Sequence, residues 1–165
     1  MKSDETISDK DTGVSVSDAV KLIRVVEVYQ NIETSHSRSE RDTFGGGETT
    51  TTQYDYRREW TSNYIDSSNF RNQSIRNPNK SAWLYDGETF KARTIRLGAF
   101  LLNSSQIDRI TNSEAMSIPS NILKIESEFQ RRVGSHSMNG QRGEIFVDGN
   151  YIYVRYGGAA MDNVG

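Results

Sequence analysis

Apolar and polar residues alternate with a period of two along much of this chain, the pattern of strands that bury one face and expose the other. The pattern is clearest in residues 20–33 and 49–62. In the second segment Thr52, Tyr54, Tyr56, Arg58 and Trp60 fall on one face, and Gln53, Asp55, Arg57 and Glu59 on the other. In the first, Val20, Leu22, Val26, Val28 and Ile32 share a face that Arg24 interrupts. A helix capped by Ser17 and running through residues 18–23 is the competing reading, but the β-branched run Ile23, Val25, Val26, Val28 favours a strand. A polar loop ending in Gly45-Gly46-Gly47 separates the two strands.

Elsewhere the pattern is weaker. Residues 1–13 are polar and read as a flexible tail. Residues 65–88 are rich in turn formers (Asp66-Ser67-Ser68-Asn69, Asn77-Pro78-Asn79, Asp86-Gly87), with Phe70, Trp83 and Leu84 as anchors and a brief helix expected after Ser67. Residues 89–102 read as one strand, with Ile95, Leu97, Ala99 and Leu101 on a face and a bulge at Gly98. Ser104 or Ser105 is placed to cap a helical turn carrying Ile107 and Ile110. Ile118, Ile122, Leu123 and Ile125 form a second helical patch beside Pro119, and residues 144–155 form a hairpin turning at Asp148-Gly149. The expected fold is α+β, mostly antiparallel β-sheet with two or three short helices, with residues 14–165 as a single globular domain.

The chain has 165 residues, 34% of them hydrophobic, which suits a domain that buries roughly 70% of its unfolded-chain surface. Its mean hydropathy of -0.71 is low. Eight Tyr, six Phe and two Trp nevertheless supply large apolar groups, each worth on the order of 2 kcal/mol when buried, which excludes disorder throughout. Twenty Lys and Arg face 22 Asp and Glu, a net charge of -2 that leaves no footprint for a phosphate backbone, so nucleic acid is not an expected partner. Arg57-Arg58 and Arg131-Arg132 fall short of the cation runs that hold anionic membranes. No cysteine is present, which removes disulfides, thiolate catalysis and Cys-based zinc sites. The opening MKSDETISDK has no apolar signal-peptide core, and nowhere do about 18 apolar residues run together as a membrane span requires.

Catalytic constellations fare poorly. The only histidines, His36 and His136, sit in the polar contexts Ser35-His36-Ser37 and Ser135-His136-Ser137, without the paired spacing of metal ligands. Asp9-Lys10-Asp11-Thr12-Gly13 resembles the start of a calcium loop, but Val20 occupies the twelfth place, where a bidentate glutamate belongs. Gly45-Gly46-Gly47-Glu48 lacks the Lys-Ser/Thr that a phosphate cradle needs. Glycosylation acceptor triplets begin at Asn72, Asn79 and Asn103, a number expected by chance in so Asn-, Ser- and Thr-rich a chain. No catalytic, cofactor-binding or metal-binding residue is nominated, no cofactor is expected, and the chain is read as not an enzyme.

An ordered series of short matches resembles the LUMA-like family of multi-pass membrane proteins. It comprises Ile7-Ser8-Asp9 with Gly13-Val14, Val20-Lys21-Leu22, Val26-Glu27-Val28-Tyr29-Gln30 with Glu33, and Glu48-Thr49-Thr50-Thr51. It continues with Tyr54-Asp55-Tyr56, Glu59-Trp60, Ile65-Asp66-Ser67-Ser68-Asn69-Phe70, Arg76-Asn77-Pro78, Leu97-Gly98-Ala99-Phe100 and Ile107-Asp108. The resemblance implies a soluble domain excised from between a first membrane span and a later group of spans. Such a domain faces the periplasm in bacteria, or the ER lumen and nuclear-envelope space in eukaryotes, and is attached through spans absent from this chain. It implies a non-catalytic interaction or scaffold role in membrane or envelope organisation, with other membrane or envelope proteins, or copies of itself, as partners. The rival reading is a small-ligand-binding or hydrolytic domain built from residues 65–88 and the histidine loops. Two departures stand out. Family members carry Trp after the Tyr-Gln pair where this chain has Asn31, and they continue past Val164-Gly165 into an apolar strand, so a piece of the sheet is expected to be missing.

Overall fold

The computed structural model describes residues 3–118, 127–138, 141–149 and 151–156. Along the chain run strands β1 (Thr6–Ser8), β2 (Ser15–Ser17), β3 (Lys21–Arg24), β4 (Val28–Arg41) and β5 (Glu48–Thr61). Then come β6 (Glu88–Lys91), β7 (Ile95–Leu97), β8 (Phe100–Leu102), helix α1 (Ser104–Asp108), helix α2 (Ser127–Ser135), β9 (Ser137–Met138), β10 (Gln141–Asp148) and β11 (Tyr151–Tyr156). Two 3-10 turns, Ser67–Asn69 and Lys80–Ala82, lie between β5 and β6. Every ladder among the described residues is antiparallel, and strands far outweigh helices. Among the described residues they form five separate sheets, four two-stranded and one three-stranded, in place of one sheet. The chain divides into two compact units where one domain was expected: Met1–Arg24 with Gly87–Gly165, and Val25–Asp86.

In the first unit β1 pairs with β2, β3 with β6, β7 with β8, and β10 with β9 and β11. Its core is the cluster Ile7, Ala92, Ile95 and Ile107, against which Val16, Ala19, Val20, Leu22, Phe90 and Leu102 pack. The segment expected to be a flexible tail is therefore folded in part. Ile7 is buried, and the Glu5 carboxylate accepts the backbone N–H groups of Arg93 (3.0 Å) and Thr94 (2.9 Å). Those hydrogen bonds, Arg93 foremost, hold its pKa below the ordinary 4.5.

The break in the apolar face at Arg24 has a structural use. Its Nη1 donates to Asp9 Oδ1 (2.6 Å) and Oδ2 (2.8 Å) and lies 3.0 Å from Asp11, while Nη2 reaches Glu88 at 3.1 Å. Partial burial works against the charge of Arg24, but the two aspartates outweigh it and raise its pKa. The fragment that resembled a calcium loop thus spends its carboxylates on an arginine. Asp9 also accepts the Asp11 N–H at 2.9 Å, closing the turn between β1 and β2.

Several element boundaries differ from the pattern-based reading. The expected strand over residues 20–33 is two strands, β3 and β4, that belong to different units. No helix starts at Ser17, because Asp18 stands at φ 60, in the left-handed region. Residues 89–102 are three strands, and Gly98, at φ 62, makes the turn between β7 and β8 instead of a bulge. The expected helix after residue 103 is present, but its cap is Asn103, whose side chain accepts the Gln106 N–H while Gln106 reaches back. Val133 of α2, a helix the pattern did not suggest, is fully buried. The late hairpin forms as expected, with Asp148 ending β10 opposite Tyr151. The patch at Ile122, Leu123 and Ile125 lies outside the described residues, as does the chain's end, where a missing strand was expected.

Candidate interaction surface

The second unit is a two-stranded ribbon, β4 against β5, fourteen residues long on each side, with a covering loop. The polar stretch expected to be a loop before the glycines continues as strand to Arg41, because Ser, Thr and charged residues meet equivalents across the ladder. Ser37 lies 3.0 Å from Thr52 and Ser39 lies 3.0 Å from Thr50, hydroxyl to hydroxyl. Only residues 42–47 turn, closed by the Asp42 N–H donating to Gly47 O at 2.8 Å.

The expectation of a half-buried β5 is not met. Nearly all of it is exposed, including both faces of its middle. One ribbon face carries Tyr29 opposite Trp60, with ring centroids 5.4 Å apart, and the Arg58 guanidinium 5.8 Å from the Tyr29 ring centre. Tyr29 is 44% exposed, Tyr54 38% and Trp60 36%, which leaves a row of aromatic and arginine groups open to a partner.

A loop of polar anchors fixes the base of this ribbon. The Gln30 side chain, fully buried, donates from Nε2 to Asn63 O (2.9 Å) and accepts the Ile65 N–H at Oε1 (3.1 Å). Asn77 lies along β4 like a strand of one residue: its Oδ1 accepts the Asn31 N–H (2.7 Å) and its Nδ2 donates to Asn31 O (2.9 Å). Asn31 also accepts from Arg58 Nε at 3.1 Å, so it belongs to a formed network. Further along, Tyr56 donates its hydroxyl to Glu33 Oε2 (2.5 Å) and accepts from the Asn72 N–H (2.9 Å). Partial burial, then the bond to Glu33, raises the Tyr56 pKa above its ordinary 10.0. The expected brief helix after Ser67 is the first 3-10 turn, capped by Asp66; the Ser68 side chain and N–H hold the Asp66 pKa down. The anchors Phe70 and Trp83 are buried, and Leu84 is half-buried.

The loop over residues 65–88 is thus tied to β4 and β5, and within itself, by its own side chains. His36 lies on β4 with Nε2 3.6 Å from Asp55, both side chains largely exposed. It edges an open depression of about 370 Å³ lined by ribbon residues such as Arg38, Glu40 and Gln53, to which residues 65–88 contribute nothing. His136 follows α2 in the other unit. Among the described residues no three His, Asp or Glu side chains converge as metal ligands. Of the three acceptor triplets, Asn103 is committed to its helix cap and the Asn72 Oδ1 accepts from Ser74 N–H (3.0 Å) and Oγ (2.6 Å). Residue-by-residue pattern reading missed the surface itself, because it took alternation to mean one buried face.

The described residues thus make a β-rich chain whose longest ladder, β4 with β5, leaves β5 largely exposed. The family model for Transmembrane protein 43 matches residues 28–161, and the chain belongs to that family, the one the sequence pointed to as LUMA-like. Over 118 residues it is 36% identical to Transmembrane protein 43 of Homo sapiens and of Mus musculus, and 35% identical to that of Rattus norvegicus. The aligned stretch is 72% of this chain and 28% of each relative, so the chain spans well under half of their length. No solved structure matches it. Among the described residues no helix is long and apolar enough to cross a membrane.

Proposed function

We propose that this chain is a non-catalytic interaction domain of a membrane-spanning protein, held outside the cytoplasm in a periplasm or in the ER lumen and nuclear-envelope space. There it serves as a scaffold for other membrane or envelope proteins. The observation that carries this reading is the β4–β5 ribbon, on whose one face Tyr29, Tyr54 and Trp60 stay partly exposed beside Arg58. Aromatic and arginine groups are the side chains that anchor protein interfaces. Membership in a family of transmembrane proteins supports attachment beside a bilayer.

The test uses the full-length protein in its own membranes, with a photo-crosslinking amino acid replacing Tyr54 or, as a comparison, the exposed Thr111 of the other unit. Discrete adducts to membrane or envelope proteins are expected from position 54 and not from position 111. Equal or absent adducts from the two positions would overturn the proposal.

A further inference from the structure

We infer that the outer edge of β5 is a self-pairing edge, joining two copies of this chain into a four-stranded antiparallel sheet about Tyr56. The inference rests on reading the ribbon as an interaction surface and names its occupant, a second copy.

The two edges of the ribbon are treated differently. Near its base β4 is covered at Asn31, whose backbone N–H and C=O are both taken by the Asn77 side chain. No described strand pairs with the far side of β5. Such an edge is a template for another strand.

The direction of its hydrogen-bonding groups follows from Asn31. Because Asn77 takes both its N–H and its C=O, those groups face away from β5, and Asn31 with Arg58 forms a non-hydrogen-bonded pair. Alternation then sends the backbone groups of Tyr54, Tyr56 and Arg58 outward, to the open edge.

A twofold axis at Tyr56 pairs these outward residues with one another: Tyr56 with Tyr56 of the second copy, and Tyr54 with Arg58 of the second copy. Between them Asp55 stands opposite Arg57 of the second copy, and the symmetry repeats the pair. Asp55 and Arg57 side chains are 50% and 55% exposed, and their neighbours His36 (3.6 Å from Asp55) and Glu59 (3.2 Å from Arg57) are exposed as well, so the cross-copy pair competes only with solvent-facing contacts. Moving the register by two residues one way sets Asp55 against Asp55, and the other way Arg57 against Arg57. Opposed like charges destabilise a ladder, so charge selects the Tyr56-centred register. The paired stretch, Thr52 to Trp60, is about 30 Å long at the rise of an antiparallel strand, and its isologous form closes at two copies.

The experiment is sedimentation velocity on the whole chain across a concentration series reaching about 1 mM, the weak end of specific association. The unchanged chain is expected to form a dimer. Asp55→Arg and Arg57→Asp should each weaken it about tenfold or more, since symmetry doubles every charge clash. A mixture of the two variants should associate again, because one copy then presents two arginines and the other two aspartates. Circular dichroism keeps misfolding of either variant from passing as loss of pairing, and the rescue by mixing needs both folds intact. A chain that stays monomeric throughout, or folded single variants that dimerise like the parent, or a mixture that stays dissociated, each overturns the inference. If that happens while the position-54 crosslinks to envelope proteins persist, the self-pairing edge fails and the interaction reading stands. If the crosslinks vanish while dimers form, the reverse holds.

Discussion

Ile95 and Gln30 are both fully shielded from solvent, yet one is surrounded by hydrocarbon and the other by backbone amides. Ile95 sits in the cluster of Ile7, Ala92 and Ile107, whose strands are only three or four residues long. Gln30 sits at the base of strands fourteen residues long that bury little apolar surface and are tied to their loop by side-chain to backbone hydrogen bonds. The first unit is held by removing apolar groups from water, and the second adds side-chain to backbone hydrogen bonds to the burial of Phe70 and Trp83. That difference suits their surfaces: a module without a thick apolar core can expose both faces of a ribbon and still keep one shape.

The largest expected effect tests the apolar side of this contrast. Ile95→Ala removes buried methyl groups and leaves a cavity among Ile7, Ala92 and Ile107, costing about 3 kcal/mol of unfolding free energy. Denaturant titration measures the loss. Hydrogen exchange shows where it falls: amides of the first unit should lose protection while those of β4 and β5 change less. Equal loss in the ribbon would erase the distinction between the two units.

Gln30→Leu is the matching change in the second unit. It keeps the bulk but strands the Ile65 N–H and the Asn63 carbonyl, at a cost of about 2 kcal/mol. Asn77→Ala, which opens the sealed edge of β4, should cost somewhat less, about 1 kcal/mol, because water can reach part of that site. A Gln30→Leu protein as stable as the parent would show that the polar anchors are not what shapes the loop.

How much of this was legible in the sequence differs between the units for the same reason. Hydrophobic alternation located β5 and the late hairpin, and turn chemistry located the helix after residue 103 and the 3-10 turn at Ser67. It failed where polar pairing did the work of hydrophobic burial. Serines and threonines from 34 to 41 gave no periodic signal, although Ser37, Ser39, Thr50 and Thr52 form cross-strand pairs. Residues 3–9 looked like a tail because Ile7 is the one apolar residue among them, and the burial of Ser3 and Asp9 leaves no hydrophobic pattern. The exposed ribbon face was visible as a row of aromatics, Tyr54 to Trp60, but its exposure was not: a period of two marks two faces without saying whether either is covered. Asn31 and Asn77, 46 positions apart, are linked by a geometry that no local pattern encodes.

Titration separates the units further by a smaller effect. The Glu5 pKa is held down chiefly by the Arg93 N–H, and that of Asp108 by its hydrogen bond to Lys91. Both depressed carboxylates stabilise the first unit above their unfolded values near 4.5 and 3.8, and that contribution is lost as pH falls through the lower folded values. Tyr56 has the opposite sign. Its raised pKa means that its contribution is intact below pH 10.0 and is lost as pH climbs through the folded value. Thermal melts of the parent and of Tyr56→Phe should therefore converge as pH rises past 10, while those of the parent and of Glu5→Gln converge in acid. A Tyr56→Phe chain with the parent's alkaline profile would remove this hydroxyl from the account of how the loop is held.

The smallest effect belongs to the most exposed large apolar group. Phe44 is 95% exposed in the turn joining β4 and β5, beside Gly45 and Gly46, which stand at φ 118 and 68. Phe44→Ser removes no packing, and the turn is set by the glycines and the Asp42 to Gly47 hydrogen bond, so unfolding free energy should change by less than about 0.5 kcal/mol. The self-pairing edge, centred twelve positions away at Tyr56, should be equally untouched in sedimentation. A loss of dimer with Phe44→Ser would move the contact from the edge of the ribbon to its tip. A loss of stability would mean that Phe44 is covered in solution, and that the ribbon is less open than its burial pattern describes.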